Sequence, residues 1–438
     1  MYCSRLFVTL ALPKLLALGK AKEKQVFLLL FSRFFVTLQR KIKMQTMNTQ
    51  NTPVHIRLWH RDFWLMSFAN MMLAISVYIL VPSMPVWLLE KEKFSQVEVG
   101  LAMGSFALGL FLFGCFCSWL VQRFRRNRVC IYAIMGMIGS LTILYYVQGL
   151  KHDLIEFWII LLQRLLLGAT FGLAQMVLLS TLIIDTSESD KRTEANHSAA
   201  WFSRFSLSLG PLVGLIMLNY QNFDAVLLTA VVSSAVAIVL ILTVNFPFRT
   251  PSDSLHIVSL DRFFLPSSAP LFVNMQLIAV AIGLLLSLGL SERFYGVIMV
   301  GFLLALLAQR FVFRDAELKS EVVTGLILLL IVFILIYTRP LPIVWYVAPL
   351  LLGLAVGIIC ARFLLFFIKL SRHCQRGTSQ STYFLGWESG IALGIGLGYA
   401  FFLNDADNLL ITSMVLTAAA LLMYNYYTHR WFLTHKNR

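Results

Sequence analysis

The stretch from Tyr383 to Phe402 reads YFLGWESGIALGIGLGYAFF, twenty residues with a single charge, Glu388, and a row of small positions at Gly386, Gly390, Gly394 and Gly398, with Gly396 beside it. About 20 predominantly apolar residues cross the hydrocarbon core of a bilayer, so the stretch has the length of one membrane helix. Residues four apart drift by only about 40° around a helix, so the glycines form one smooth face against which another helix can pack closely. Glu388 is turned about 200° from Gly386, which points it away from that seam and toward a cavity. An ionisable group at this depth is costly and marks a candidate functional position.

The same pattern recurs elsewhere in the chain. Arg376, Gly394 and Gly398 repeat Arg192, Gly210 and Gly214 at an offset of 184 residues; Gly353 and Gly357 correspond to Gly168 and Gly172; and Gln309-Arg310-Phe311 repeats Gln122-Arg123-Phe124. By the same offset Glu388 is the mate of Arg204. Apolar stretches separated by short polar gaps predict helices at about 64–88, 96–121, 129–149, 157–184, 199–219 and 225–246. After a polar linker they resume at about 267–289, 294–313, 321–338, 344–369, 383–402 and 409–427. The expectation is an all-α membrane protein of twelve transmembrane helices in two six-helix pseudo-repeats, residues 47–246 and 266–438, joined by a cytoplasmic linker, 247–265, with Pro251, Ser252, Asp253 and Ser254.

Composition agrees. The 438 residues are 59% hydrophobic and 13% charged, with mean hydropathy +0.79, whereas soluble domains carry roughly a quarter charged residues. The net charge of +15 would suggest nucleic acid if it were gathered on one surface. Instead, residues 1–46 hold nine Lys/Arg against one acid, and most of the remainder lies in loops between spans. That distribution excludes a nucleic-acid partner and makes the lipid bilayer the surroundings of the chain. Residues 1–46 repeat themselves, Ser4-Arg5-Leu6-Phe7-Val8-Thr9-Leu10 returning as Ser32-Arg33-Phe34-Phe35-Val36-Thr37-Leu38. They read as a start-site artefact, with Met44 or Met47 the true start, or else as an amphipathic interfacial arm. With a cytoplasmic N-terminus, seventeen loop Lys/Arg fall inside and five outside, namely Lys91, Lys93, Lys151, Arg293 and Arg339. Both termini are therefore expected in the cytoplasm and the chain in the inner (plasma) membrane. The six cysteines have no metal-ligand spacing, and no nucleotide-binding, zinc-protease, calcium-loop or nucleophile-elbow motif is present, so neither metal, cofactor nor enzyme activity is expected.

The motifs resemble the major facilitator superfamily from about residue 60 to 430. The stretch Ser118-Trp119-Leu120-Val121-Gln122-Arg123-Phe124-Arg125-Arg126 is similar to the family's loop motif between helices two and three. The basic part, Arg123 and Arg126, is kept, but Gln122 stands at the acidic position and Arg125 at the second glycine. A positive-inside anchor accounts for these arginines equally well. Arg164 to Gly168 is similar to a motif whose Arg the resemblance links with proton movement, snorkelling being the alternative. Ser206 to Gly214, with Gly210-Pro211 at its centre, resembles the fifth-helix motif associated with exporters, or plain small-residue packing. Asp185 and Arg192 resemble a loop whose two ends pair, a solvated loop being as good a reading.

The resemblance implies a secondary transporter with a midplane site between the halves. Proton-coupled efflux of a small amphipathic compound is the first expectation, with proton-coupled nutrient uptake and a non-transporting sensor or assembly factor as alternatives. Its partners would be a small-molecule substrate and protons, and the chain is expected to be a monomer. Arg362 and Glu388 lie at matching depths and are expected to pair, either as a proton-linked or as a static bridge. Asn70 could line the cavity or hydrogen-bond between helices.

Overall fold

The computed structural model describes residues 58–147, 153–187, 191–246, 256–313, 317–338 and 341–437. The expectations about residues 1–46, about Met44 and Met47, and about most of the linker, 247–255, lie outside the described residues, as do Lys151 and Arg339. The described residues are nearly all helical, with no regular strand. Lipid offers no hydrogen-bonding partners, so a spanning backbone must satisfy itself, and a helix does so within one segment.

The helices are α1 (Arg61–Glu90), α2 (Gln96–Arg123), α3 (Arg126–Val147), α4 (Glu156–Asp185), α5 (Arg192–Tyr220) and α6 (Phe223–Leu242). The second set is α7 (Pro266–Leu286), α8 (Glu292–Phe311), α9 (Leu318–Thr338), α10 (Val344–Leu370), α11 (Arg376–Phe402) and α12 (Ala406–His435). Eleven are long and apolar enough to cross a membrane. The remaining one, α11, is long enough at 27 residues but more polar. Two starts differ most from expectation: α5 begins at Arg192 rather than 199, and α11 at Arg376 rather than 383. Hydropathy misses the first two turns of each because they are written in Thr, Ser, Asn, Gln and His rather than in apolar residues.

Packing repeats between the halves. α1 packs on α5 and α6, α2 on α4, and α3 on α4 and α6; in the second half α7 packs on α11 and α12, α8 on α10, and α9 on α10 and α12. The halves meet through α2 on α11 and α5 on α8, which exchange under the same repeat. Because lipid is as apolar as a leucine side chain, helices here are held by close contact and interhelical hydrogen bonds rather than by the hydrophobic effect. The paired glycines supply that contact. A Cβ at Gly168 would lie 2.3 Å from the Phe106 carbonyl of α2, and one at Gly353 would lie 2.3 Å from the Ile298 carbonyl of α8.

Three departures from regular helix occur within the spans. α1 is interrupted at Ile79, between Arg61–Tyr78 and Leu80–Glu90, where Pro82 and Pro85 withhold backbone donors. α4 widens into a π turn over Leu178–Leu182, and α12 does so over Tyr424–Thr428. Six crossings return each half to the side it started from; that side, where residues 259–265 contact the end of α2 and the start of α11, is called here the terminal face.

Candidate functional site

Glu388 lies in the middle of α11 and is 4% exposed. Its two carboxylate oxygens both accept from the Tyr78 hydroxyl of α1, each at 3.0 Å, so the second half's acid is held by the first half's phenol. Tyr78 is placed by the α1 interruption and by the Gly-Pro motif of α5. A Cβ at Gly210 would come 2.5 Å from Tyr78 Cβ, and one at Gly214 would come 2.3 Å from the Ile79 carbonyl. Pro211 lies between them without breaking α5. Thus Gly210, Pro211 and Gly214 seat the bent stretch of α1 that carries Tyr78.

Two small cavities, each of about 20 Å³ and room for a water molecule, flank Glu388. Tyr78, Phe106, Arg164 and Ile395 line one of them. The other is lined by Ala200, Arg204, Tyr383 and Trp387. Arg164 is 3% and Arg204 4% exposed. The Arg164 guanidinium lies 5.1 Å over the Phe106 ring and that of Arg204 4.6 Å over Trp201. Neither makes an ion pair among the described residues, and Nε and Nη1 of both, and Nη2 of Arg204, are buried without a hydrogen-bond partner at ordinary geometry, although the Tyr383 hydroxyl lies beside Arg204. Snorkelling is therefore not what Arg164 does, since its head is buried between α2, α4 and α11.

The expected Arg362–Glu388 pair does not form. Arg362 Nε is instead held by Glu321 of α9, a fully buried carboxylate. Matching depth on neighbouring helices does not fix which way a side chain points, and Arg362 turns toward α9, away from α11. Asn70 donates to the Ala199 carbonyl at 3.2 Å, tying α1 to α5. Asp185 is engaged by Arg126 at the start of α3, so the expected pairing with Arg192 gives way to one between the end of α4 and the start of α3.

At the terminal face Gln122 donates to Ser118 Oγ at 2.9 Å, while Arg123 is exposed. Ser118 donates to Asp261 at 3.3 Å, and Asp261 also accepts from Thr378 in the first turn of α11 at 3.0 Å. Arg262, at φ 59°, donates its backbone N–H to the same Thr378 at 2.8 Å, and Leu265 does so to Thr382 at 2.8 Å. Ser259 donates to the Cys115 carbonyl at 3.0 Å. Residues 259–265 thus lie stitched to α2 on one side and α11 on the other. Burial, and then neighbouring Arg126, hold the Arg262 guanidinium below its ordinary value, with Asp261 and Asp185 acting the other way. Beside this strap is an apolar groove of about 420 Å³, lined by Phe111, Phe263, Phe264, Phe272 and Leu393, with Gln276 and Ser389 as its polar members. The lining includes Leu108, 67% exposed on the outer surface of α2, so the groove opens sideways.

Sequence reasoning missed Tyr78, Glu321, Asp261 and Thr378. Glu321, an acid at the very edge of a predicted span, was the one with a readable signal.

The Major Facilitator Superfamily model matches residues 66–395. No curated protein matches the sequence. Among solved structures, the human organic anion transporter MFSD10 is 16% identical, with a TM-score of 0.63 over 83% of this chain and 98% of its own. A bacterial homologue of the iron transporter ferroportin in an outward-facing state is 14% identical, with a TM-score of 0.61 over 85% and 100%. An auto-inhibited POT family peptide transporter is 12% identical, with a TM-score of 0.63 over 84% and 97%. At these identities the likeness is one of fold.

Proposed function

The chain belongs to the Major Facilitator Superfamily, and from that premise we propose that this membrane transporter works by alternating access as a proton-coupled exporter of a small amphipathic compound. The observation that carries the proposal is the Glu388–Tyr78 contact, a buried acid bonded across the interface between halves. When the halves rock about a midplane site, a group held by both must exchange partners. A carboxylate that loses its phenol donor is stable in a dry site only if it takes a proton or reaches a cation. Arg164 and Arg204 are the cations that share its cavities. Glu388 is accordingly the proposed proton site.

Export is supported by the Gly210-Pro211 seat, which resembles the exporter motif of the family, and by the lateral apolar groove, whose Ser389 is next in sequence to Glu388. An amphipathic compound could pass from the bilayer along that groove. The proposed placing is the inner membrane, with the terminal face in the cytoplasm and the chain acting as a monomer.

A strain lacking the chain should become more sensitive to amphipathic growth inhibitors, and the wild-type gene should restore resistance where Glu388→Gln does not. Full restoration by Glu388→Gln would refute the proton role. A deletion that impairs nutrient uptake and leaves inhibitor sensitivity unchanged would refute export.

A further inference from the structure

We infer that the transported compound carries an anionic group, bound between Arg164 and Arg204 beside Glu388. The inference rests on the transport reading and names the class of substrate that the same site takes.

Charge in the site is unbalanced. The two cavities that meet at Glu388 are lined by two guanidiniums and one carboxylate. The other polar side chains of the lining, Tyr78, Ser203, Gln380, Tyr383 and Trp387, are neutral. With Glu388 ionised, the buried site carries one positive charge more than it can neutralise; with Glu388 protonated, it carries two. Elsewhere in the same membrane interior the chain pairs its arginine: Arg362 has Glu321. Arg164 and Arg204 are at least as buried, and both keep guanidinium nitrogens without an acceptor. An uncompensated buried charge is among the most costly features a fold can retain. Aromatic faces under both guanidiniums, Phe106 and Trp201, soften that cost without supplying an acceptor.

A guanidinium presents its donors in a planar fork that matches a carboxylate, sulfonate or phosphate group. Arg164 belongs to α4 and Arg204 to α5, both of the first half, while Glu388 belongs to the second. An anion bound by the arginines would thus be carried by one half and sensed by the acid of the other. As they stand the two cavities have room only for water, so the molecule enters when the halves part, and Val77, Val81, Ile395, Leu179 and Phe384 are the apolar residues that its hydrophobic remainder would then meet.

The test uses purified full-length protein in non-ionic detergent and three probes with one ring system: 2-naphthoate, neutral 2-naphthamide and cationic 2-naphthylmethylammonium. Thermal stabilisation should appear with naphthoate and not with the other two, and its half-maximal concentration should rise about tenfold or more in Arg164→Gln and in Arg204→Gln, as expected for loss of a charge-assisted hydrogen bond. Arg310→Gln, which changes a cation remote from these cavities, should bind as wild type does. Equal stabilisation by the amide or the ammonium probe, no stabilisation by naphthoate, or unchanged affinity in both arginine variants would overturn the inference. Counterflow of naphthoate in proteoliposomes separates the two readings: binding without flux keeps the anion site and sinks transport, while flux of an amphipathic cation without naphthoate binding does the reverse.

Discussion

Replacing Gly396 by alanine should leave the fold standing and change which state the transporter occupies. Gly396 lies on the opposite side of α11 from the seam that packs on α7, and faces α2 of the other half. A Cβ there would stand 2.8 Å from both the Gly100 carbonyl oxygen and Gly104 Cα, where ordinary contact begins at 3.4 Å. These neighbours are backbone, so α2 and α11 must part by roughly half an ångström or more, and overpacking of this kind costs about 1–3 kcal/mol. That cost falls only on the arrangement in which α2 and α11 are closed together, so the closed-to-open ratio should drop about 5- to 150-fold. Gly394→Ala is the control, since its Cβ would lie 2.3 Å from the Val280 carbonyl of α7, inside one half, in every state. Spin labels at Val97→Cys and Phe401→Cys, both exposed near the end of the molecule away from the terminal face, read the gap between α2 and α11. Gly396→Ala should broaden or lengthen that distance with little loss of melting temperature, whereas Gly394→Ala should lower the melting temperature at an unchanged distance. If Gly396→Ala instead lowers melting temperature as much as Gly394→Ala does and leaves the distance as in wild type, the contact is structural and the reasoning fails.

Other outcomes follow from the same geometry. Asp261→Asn should loosen the strap that joins α2 to α11 and raise the alkylation rate of Cys117, fully buried beside Ser118, by about tenfold in a background where Cys3, Cys115 and Cys374 are serine. Adding Gln122→Asp, one turn along α2 from Ser118, should slow it again, and no recovery would show that Asp261 acts by shape rather than charge. Glu321→Ala leaves Arg362 without its carboxylate and should destabilise the protein by about 3–5 kcal/mol in denaturant titration, while Glu321→Leu with Arg362→Leu should recover most of that. Asn70→Leu should cost about 1 kcal/mol by the same measurement, for the lost bond to Ala199. A cost above twice that figure would point to a second role for Asn70.

The architecture could be read from sequence because its signals are local. Hydropathy counts spans, and the glycines of α4, α5, α10 and α11 mark surfaces that only close packing requires. Their partners follow from the repeat, as Gly168 on α2 and Gly353 on α8 show. The site was legible only in its members. Glu388, Arg164 and Arg204 stand out as charges in apolar stretches, but which charge faces which depends on helix rotation and on the register between halves. Neither is written in any one helix. Arg362 shows this best: its depth suggested Glu388, while its rotation gave it Glu321. Asp261 was hidden for another reason, since an acid in a polar linker looks solvated until the linker is found to lie between Ser118 and Thr378.

The connection from α4 to α5 has a bearing on how the halves are superposed. Gly353 follows Gly168 by 185 positions, yet Arg376 follows Arg192 by 184. The first half therefore holds one residue more between its α4 glycines and the start of α5, and it falls in the connection, since Asp185 and Leu370 end their helices at the same distance from Gly168 and Gly353 while residues 186–191 outnumber 371–375 by one. A connection one residue longer lets α5 begin one position later relative to α4 than α11 does relative to α10. The internal homology is thus frame-shifted: one frame serves α4 and α10, the other α5 and α11. Read in the earlier frame, Glu388 would mirror Ser203; in the later one it mirrors Arg204, and both residues stand twelve positions from the start of their own helices. The opposition of acid and base across the pseudo-symmetry axis thus belongs to the later frame alone.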